Sequence, residues 1–209
     1  LETDRVAPSV QHVSAVAFRH HHSVVAGERD GLEAEQRRLL GKRHAGGFGQ
    51  GGEAARQHAG HTEGTGALQQ AAAGELFGWR ESATGRLAEI IVLDQFSRNI
   101  YRNSALAFAQ DAMALVLAQE AVAAGALEQL NADERNFLLM PYMHSESPVI
   151  HQQAEALFKQ FAPAENYQFE LKHKVIIDRF GRYPHRNAIL GRTSTADEIE
   201  FLKQPGSGF

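Results

Sequence analysis

The chain contains no cysteine. That excludes disulfides, a thiol nucleophile and a thiolate metal site, and it leaves the compartment open. It has a single tryptophan, and no stretch alternates apolar and polar residues as a half-buried strand would. No apolar run approaches the ~20 residues that span a bilayer. The first residues, LETDRVAPSVQHV, show no basic region leading into an apolar core. Neither a membrane span nor a signal peptide is therefore expected, and the cytoplasm is the expected compartment. An excess of either charge is also missing. The formal net charge is −4, and residues 67–209 hold 17 acidic against 13 basic residues. Such a chain has no field to hold nucleic acid or an anionic membrane, so neither is expected as a partner.

The 209 residues are 43% hydrophobic and 22% charged, which is the composition of an ordinary globular domain. They divide near residue 67. Residues 1–66 hold 11 of the 19 glycines and 7 of the 11 histidines. Gly41–Gly66 follows no helical or strand period and has one aromatic residue, Phe48. A segment so poor in apolar groups cannot offset its ordering entropy. Residues 1–66 thus read as a low-complexity segment that is disordered, or as a GC-rich coding stretch in a non-native frame. Val13–Val25 and Gly31–Leu40 are its only helical candidates. His20, His21 and His22 could hold a surface metal loosely, but adjacent residues cannot face one centre from a regular element, so no metal site is expected there.

From residue 67 the spacing predicts helices throughout. Ala67–Ala73 is alanine-rich, and Ser82 or Thr84 caps a helix reaching Asn99–Arg102. Ser104 is expected to cap one helix running to Gly125, with Leu106, Met113, Leu117 and Ala121 on its buried stripe. Asn131 or Asp133 opens the next, which Pro141 should kink or end. Val149, Ile150, Leu157, Phe158 and Phe161 mark the buried side of a fourth. A fifth follows Pro163 and stops at Gly181, with Tyr167, Leu171, Val175 and Asp178 in one row and Phe169, His173, Ile176, Ile177 and Phe180 in a second. Thr195 and Glu198 form a capping box for a short last helix. The expected fold is all-α: five to six antiparallel helices, as stacked helical hairpins or an irregular bundle.

Three polar motifs stand out. In Leu87–Arg102 (LAEIIVLDQFSRNIYR) the apolar stripe of Leu87, Ile90 and Ile91 continues into Asp94 and Arg98 on the same face. Buried charge is tolerated only when paired, so this face reads as a buried ion pair or as the floor of a polar pocket. Asp111 reads as a solvent-facing acid in mid-helix, or as a partner for one of the arginines. His144-Ser145-Glu146 follows a helix end. It reads as a base with its orienting carboxylate, or as an N-cap in which Ser145 or Ser147 caps the next helix. Arg182–Asn187 (RYPHRN) places basic groups in a proline-stiffened loop. Its arginines suit carboxylates or phosphates, or they tie the loop to Asp94, Asp178 or Glu146.

LDQFSRNIYRNSALAFAQD, YMHSE and IIDRFGRYPHRNAILGRTSTADEIEFL together resemble the bacterial family catalogued as domain of unknown function 924, over about residues 67–209. The resemblance implies an all-helical fold similar to tetratricopeptide hairpins and no established activity. Its matching polar positions are Asp94, Gln95, Arg98, Asn99, Tyr101, Arg102 and Asp111, then His144, Ser145 and Glu146. They end with Gly181, Arg182, Pro184, His185, Arg186 and Asn187. If the motifs converge, the leading expectation is a binding or interaction module. Asp94, Arg98, Tyr101, Arg102, Arg182, Arg186 and Asn187 would line a pocket for a small anion or a peptide carboxylate. The alternative is a hydrolase with His144 or His185 as general base and Glu146 beside it. A purely structural role is the third reading. Metal assistance through His144, Glu146 and His185 is a weak variant of the hydrolase alternative, since the histidine spacing of zinc helices is absent, and the cofactor is unknown.

Overall fold

The computed structural model describes residues 64–208, and every regular element among them is helical. Helix α1 covers residues 64–72 and so takes in three positions assigned above to the low-complexity segment. The candidate helices at 13–25 and 31–40, and the three adjacent histidines, lie outside the described residues. A 3-10 turn, Phe77–Glu81, leads to α2, Ala83–Ile91. Ser82 caps α2 as its sequence predicts, accepting from the Gly85 amide at 3.1 Å. Leu87, Ile90, Ile91 and Leu93 are almost wholly buried, as the apolar stripe requires. The helix then widens into a π-helical stretch, Val92–Phe96, and closes with α3, Ser97–Ile100.

Here the chain departs from expectation. Ser104 caps a 3-10 turn, Ala105–Phe108, and α4 begins only at Asp111, running to Ala123. Asp111 is therefore in the first turn of a helix. The helix dipole favours a carboxylate there, whereas aspartate is a poor mid-helix residue. The buried stripe of α4 is Ala114, Ala118 and Ala121, with Leu106 and Met113 exposed. Small side chains let α4 approach its neighbours α2 and the next long helix closely, which the larger residues would prevent. The 3-10 turn, the break at 109–110 and α4 together span 19 residues, Ala105–Ala123, of mean hydropathy 1.3, which by length and composition alone would suffice to cross a membrane.

Gly125, at φ 73°, ends α4 and opens the short α5, Ala126–Gln129. Helix α6, Ala132–Met143, starts with a capping box of Asn131 and Glu134. It runs two residues past Pro141, whose buried ring packs in the core and offsets the lost backbone bond. Helices α7, Pro148–Phe161, and α8, Ala164–Phe180, form a hairpin through a two-residue link. Val149, Val175 and Asp178 prove exposed, while Phe158 on α7 and His173, Ile176 and Ile177 on α8 are buried as expected and are joined by His151 and Ala154 on α7 and Glu170 on α8. Polar residues thus occupy core positions that an apolar count leaves out. The capping box of Thr195 and Glu198 opens α9, Ala196–Leu202, as expected.

One large core joins α1, α2, α4, α6 and α7, while Ile176, Ile177 and Tyr183 nucleate a smaller one with Phe180 and Phe201. Tyr183 belongs to the RYPHRN loop, so this second core anchors that loop against α8. The polar motifs meet between the two cores.

Gly85 locks the first turn of α2 to the preceding 3-10 turn, because a Cβ there would stand 1.8 Å from the Trp79 carbonyl oxygen. Glycine to alanine inside a helix ordinarily gains up to ~1 kcal/mol. Gly85→Ala should instead lose about 2 kcal/mol or more in urea unfolding, since backbone must move to admit the methyl group. A variant as stable as the parent would show that the Trp79 turn is free to shift.

Candidate functional site

The π-helical stretch sets the geometry of the site. Where the backbone ladder widens, carbonyls lose their regular partners and side chains take them over. Ser97 Oγ donates to the Leu93 carbonyl at 2.6 Å, and Arg98 Nη1 donates to the Asp94 carbonyl at 2.9 Å. The same turn buries the Asp94 side chain to 1% exposure.

Asp94 Oδ1 forms an ion pair with Arg98 Nη1 at 2.9 Å and a hydrogen bond with His144 Nδ1 at 2.7 Å, while Gln95 Nε2 donates to Oδ2 at 2.5 Å. Burial alone would raise this carboxyl's pKa. The adjacent Arg98 and His144, with the hydrogen bonds from His144 and Gln95, overcome it and hold the group well below the usual carboxylate range. Asp94 is thus ionised and can only accept. His144 must then carry its proton on Nδ1 when neutral, leaving a lone pair on Nε2. Burial, then the Arg98 charge, pushes His144 below the usual imidazole pKa against the pull of Asp94.

Arg98 also forms a two-pronged bridge to Asp111, Nη1 to Oδ1 at 2.8 Å and Nη2 to Oδ2 at 2.9 Å. Of the two readings of Asp111, the arginine partner is the one found. Arg186 Nη1 reaches the same Oδ2 at 3.4 Å. Its guanidinium lies between two aromatic rings, 4.7 Å from the Phe108 centroid and 4.5 Å from that of Tyr183. Arg186 is only 6% exposed, and its Nε is buried without a hydrogen-bond partner. Burial, then the Arg98 charge, lowers its pKa.

Glu146 serves the RYPHRN loop. Its carboxylate accepts two bonds from Arg192, at 2.6 and 2.9 Å, and one from the Tyr183 amide at 2.8 Å. The N-cap reading of the HSE turn fails, since Ser147 makes no capping bond and Ser145 Oγ accepts from the Ser147 amide at 3.2 Å. Arg182 bridges Glu198 at 2.7 and 2.8 Å and also donates to the Thr193 carbonyl. Asn187 donates to Ser194 Oγ and Glu198, and accepts from Arg192 Nε. Arg182, Asn187, Arg192 and Glu198 thereby close α9 and the loop on one another. Asp178 pairs with Lys174 instead of a loop arginine. His185 stacks against Tyr183 with ring centroids 5.5 Å apart, and burial, then Arg186, pushes its pKa down to about 4. Tyr101 packs half-buried against the large core, and Arg102 is exposed at the end of α3.

Beneath the loop lies a network that the motifs did not indicate. His151 and Glu170 are fully buried and joined at 2.7 Å. His151 Nε2 lies 2.8 Å from the Ser145 carbonyl and 3.3 Å from Tyr183 Oη, and Tyr183 Oη donates to the Met143 carbonyl at 2.5 Å. The signal was the spacing of His151 with Ala154 and Phe158, and of Glu170 with His173 and Ile177, each polar residue on a buried helix row. Arg192 carried no such signal, because a loop has no period. Among the described residues no group of histidine and carboxylate side chains is arranged to hold a metal ion.

The family model described as bacterial protein of unknown function (DUF924) matches residues 48–206, beginning upstream of the division near residue 67. The chain is also similar to a solved structure, that of Protein of Unknown Function ATU0120 from Agrobacterium tumefaciens. The two are 36% identical with a TM-score of 0.67, over 72% of this chain and 85% of the other. Nothing matches among the curated proteins.

Two outcomes test the site's electrostatics. Asp94→Ala leaves His144 unpaired and Arg98 short of one carboxylate, and should cost about 3–5 kcal/mol in urea unfolding. A loss under ~1 kcal/mol would show that solvent already screens the pair. The second concerns pH. His185 and His173 have folded pKa values lowered to about 4 and about 3, each chiefly by burial. The unfolded chain takes up their protons below about 6.5, so their contribution is full above that pH and is lost as pH falls toward 3. Asp94, Glu146 and Glu198, with lowered pKa values, add a further loss below about 4. The melting temperature should therefore fall from pH 6.5 downward. A flat profile from pH 7 to 5 would contradict the neutral buried histidines.

Proposed function

The chain belongs to the bacterial DUF924 family of unknown function, and we propose that its polar site binds a small anion or the carboxylate of a peptide. The protein then acts as a binding or interaction module, working in the cytoplasm without nucleic acid or membrane as partner. One observation carries this reading. Arg98, Arg182 and Arg192 each meet a carboxylate through two short bonds. Arg186, by contrast, has a single contact at 3.4 Å and a buried, unpaired Nε. A buried guanidinium so poorly satisfied is costly, and a ligand carboxylate would supply the missing acceptors. Phe108 and Tyr183 hold its plane fixed, so little side-chain entropy is lost on binding.

A hydrolytic reading rests on a separate observation, the Asp94–His144 pair at 2.7 Å. A carboxylate that fixes Nδ1–H leaves Nε2 in the form a general base requires. His144 suits that role better than His185, and Glu146 is already engaged by Arg192 and the Tyr183 amide.

Titration calorimetry with acetate, succinate and inorganic phosphate tests the binding reading. At least one should bind the full chain, and Arg186→Gln should weaken it at least ~10-fold, the order expected for losing a charged hydrogen bond. Arg182→Gln should leave the affinity within about twofold, since its partners lie in the loop closure. Binding that ignores Arg186→Gln, or no binding at all, would overturn the proposal.

A further inference from the structure

Both ring nitrogens of His151 face acceptors. Nδ1 lies 2.7 Å from Glu170 Oε1 and Nε2 lies 2.8 Å from the Ser145 carbonyl, with both side chains fully buried. Tyr183 Oη, 3.3 Å from the same Nε2, already gives its hydrogen to the Met143 carbonyl. A carbonyl only accepts, so Nε2 must carry a hydrogen. The hydrogen between Nδ1 and Oε1 is then one more than a neutral histidine and a carboxylate possess together. Glu170 Oε2 decides where that hydrogen sits. It is buried with no hydrogen-bond partner among the described residues, a costly position for half of a charged carboxylate. Burial raises the Glu170 pKa against the pull of His151.

We infer that Glu170 is a neutral acid donating to Nδ1 of a neutral His151, and that this proton latches the turn that carries His144. Loss of the proton to solvent leaves one hydrogen for the two side chains. It must move to Nδ1, since a lone pair there would face the carboxylate at 2.7 Å. Nε2 then turns a lone pair on the Ser145 carbonyl, and that bond is lost. The Tyr183 hydroxyl, which burial keeps protonated far above the usual phenol range, can swing to Nε2 and release the Met143 carbonyl. Met143 and Ser145 flank His144, so both backbone ties beside it depend on one proton. The latch is independent of what the site binds.

The surrounding charges leave this balance to the pair. Glu155 on α7 favours holding the proton and Lys174 on α8 opposes it, while Lys174 is itself paired with Asp178. His173 on α8, with His185 and Arg186 in the loop, packs around the Tyr183 ring, and both histidines are held neutral by burial. In the turn, His144 faces Asp94 and Glu146 faces Arg192. Between about pH 4.3 and 6.5 the unfolded chain also keeps one proton on these two residues, on the histidine, so the pair adds no slope there. Above about pH 6.5 the unfolded chain has released it and the folded pair still holds it, so stability falls as pH rises.

Histidine and amide 15N spectra of the full chain, taken from about pH 6.5 to 9.5, test the latch. At the lower end His151 should carry hydrogen on Nε2, and at the upper end on Nδ1. The amide signals of His144, Ser145 and Glu146 should move with the same midpoint. Glu170→Gln sets a permanent donor against Nδ1. It should keep the Nε2–H form and unmoved turn signals throughout, and it should remove the alkaline fall in melting temperature. An imidazolium at the lower end, or a tautomer and turn that stay unmoved to the upper end, would overturn the latch from the parent chain alone. An alkaline transition that survives Glu170→Gln would overturn it equally.

Discussion

The interaction on which the rest depends is the ionised carboxylate of Asp94, held at 1% exposure. Burying an unpaired carboxylate is prohibitively costly, so this side chain dictates what surrounds it. It receives a guanidinium, an imidazole and an amide donor from three different residues. Arg98, once buried to serve it, needs Asp111, and Asp111 in turn gathers Arg186. A charge placed on one helix thereby recruits the first turn of α4, the end of α6 and the RYPHRN loop. The π-helical stretch belongs to the same logic, because the carbonyls it frees are capped by Ser97 and by Arg98 itself.

Tyr183 performs the corresponding task for the loop. Its ring packs with Ile176 and Ile177, its amide donates to Glu146, and its hydroxyl donates to the Met143 carbonyl. The fully buried His151–Glu170 pair lies under it and reaches the Ser145 carbonyl. The HSE turn is therefore pinned from both sides, by Glu146 to the loop and by His151 to α7. His144, between the Met143 carbonyl held by Tyr183 and the Ser145 carbonyl held by His151, inherits a fixed backbone. Such preorganisation is what a binding or catalytic histidine needs, and a merely surface-exposed turn would lack it.

Much of this was legible in the residues. Helical periodicity, the Ser82 cap, the Thr195 box and the glycine stops follow local rules that tertiary contacts did not override. The convergence of Asp94, His144 and Arg186 followed from asking which groups could satisfy a carboxylate on an apolar stripe. The break at residues 109–110 was not legible, because alanine-rich sequence is equally content in a continuous helix. Its reason is tertiary: the break lets Phe108 lie under Arg98 and Arg186, with centroid distances of 5.7 and 4.7 Å. Alanine was also underrated as a core residue. Ala114, Ala118 and Ala121 are wholly buried because close helix approach rewards their small size. The division of labour among the arginines was hidden too, since a loop gives no period from which to rank Arg182, Arg186 and Arg192.

That division bears on what the site is for. If the arginines existed only to hold the loop, each should find a close carboxylate, as Arg182 and Arg192 do. Arg186 is as deeply placed as any of them and receives one long contact. A leucine or methionine between Phe108 and Tyr183 would pack there without the desolvation cost, and replacing buried ion pairs by apolar residues is often stabilising. Stability therefore does not account for a cation at this position. The opposite end of the network shows the same imbalance with opposite polarity, an imidazole nitrogen aligned by a buried carboxylate and left as an acceptor. Holding the loop accounts for neither end, and the proposed anion gives the first of them a partner.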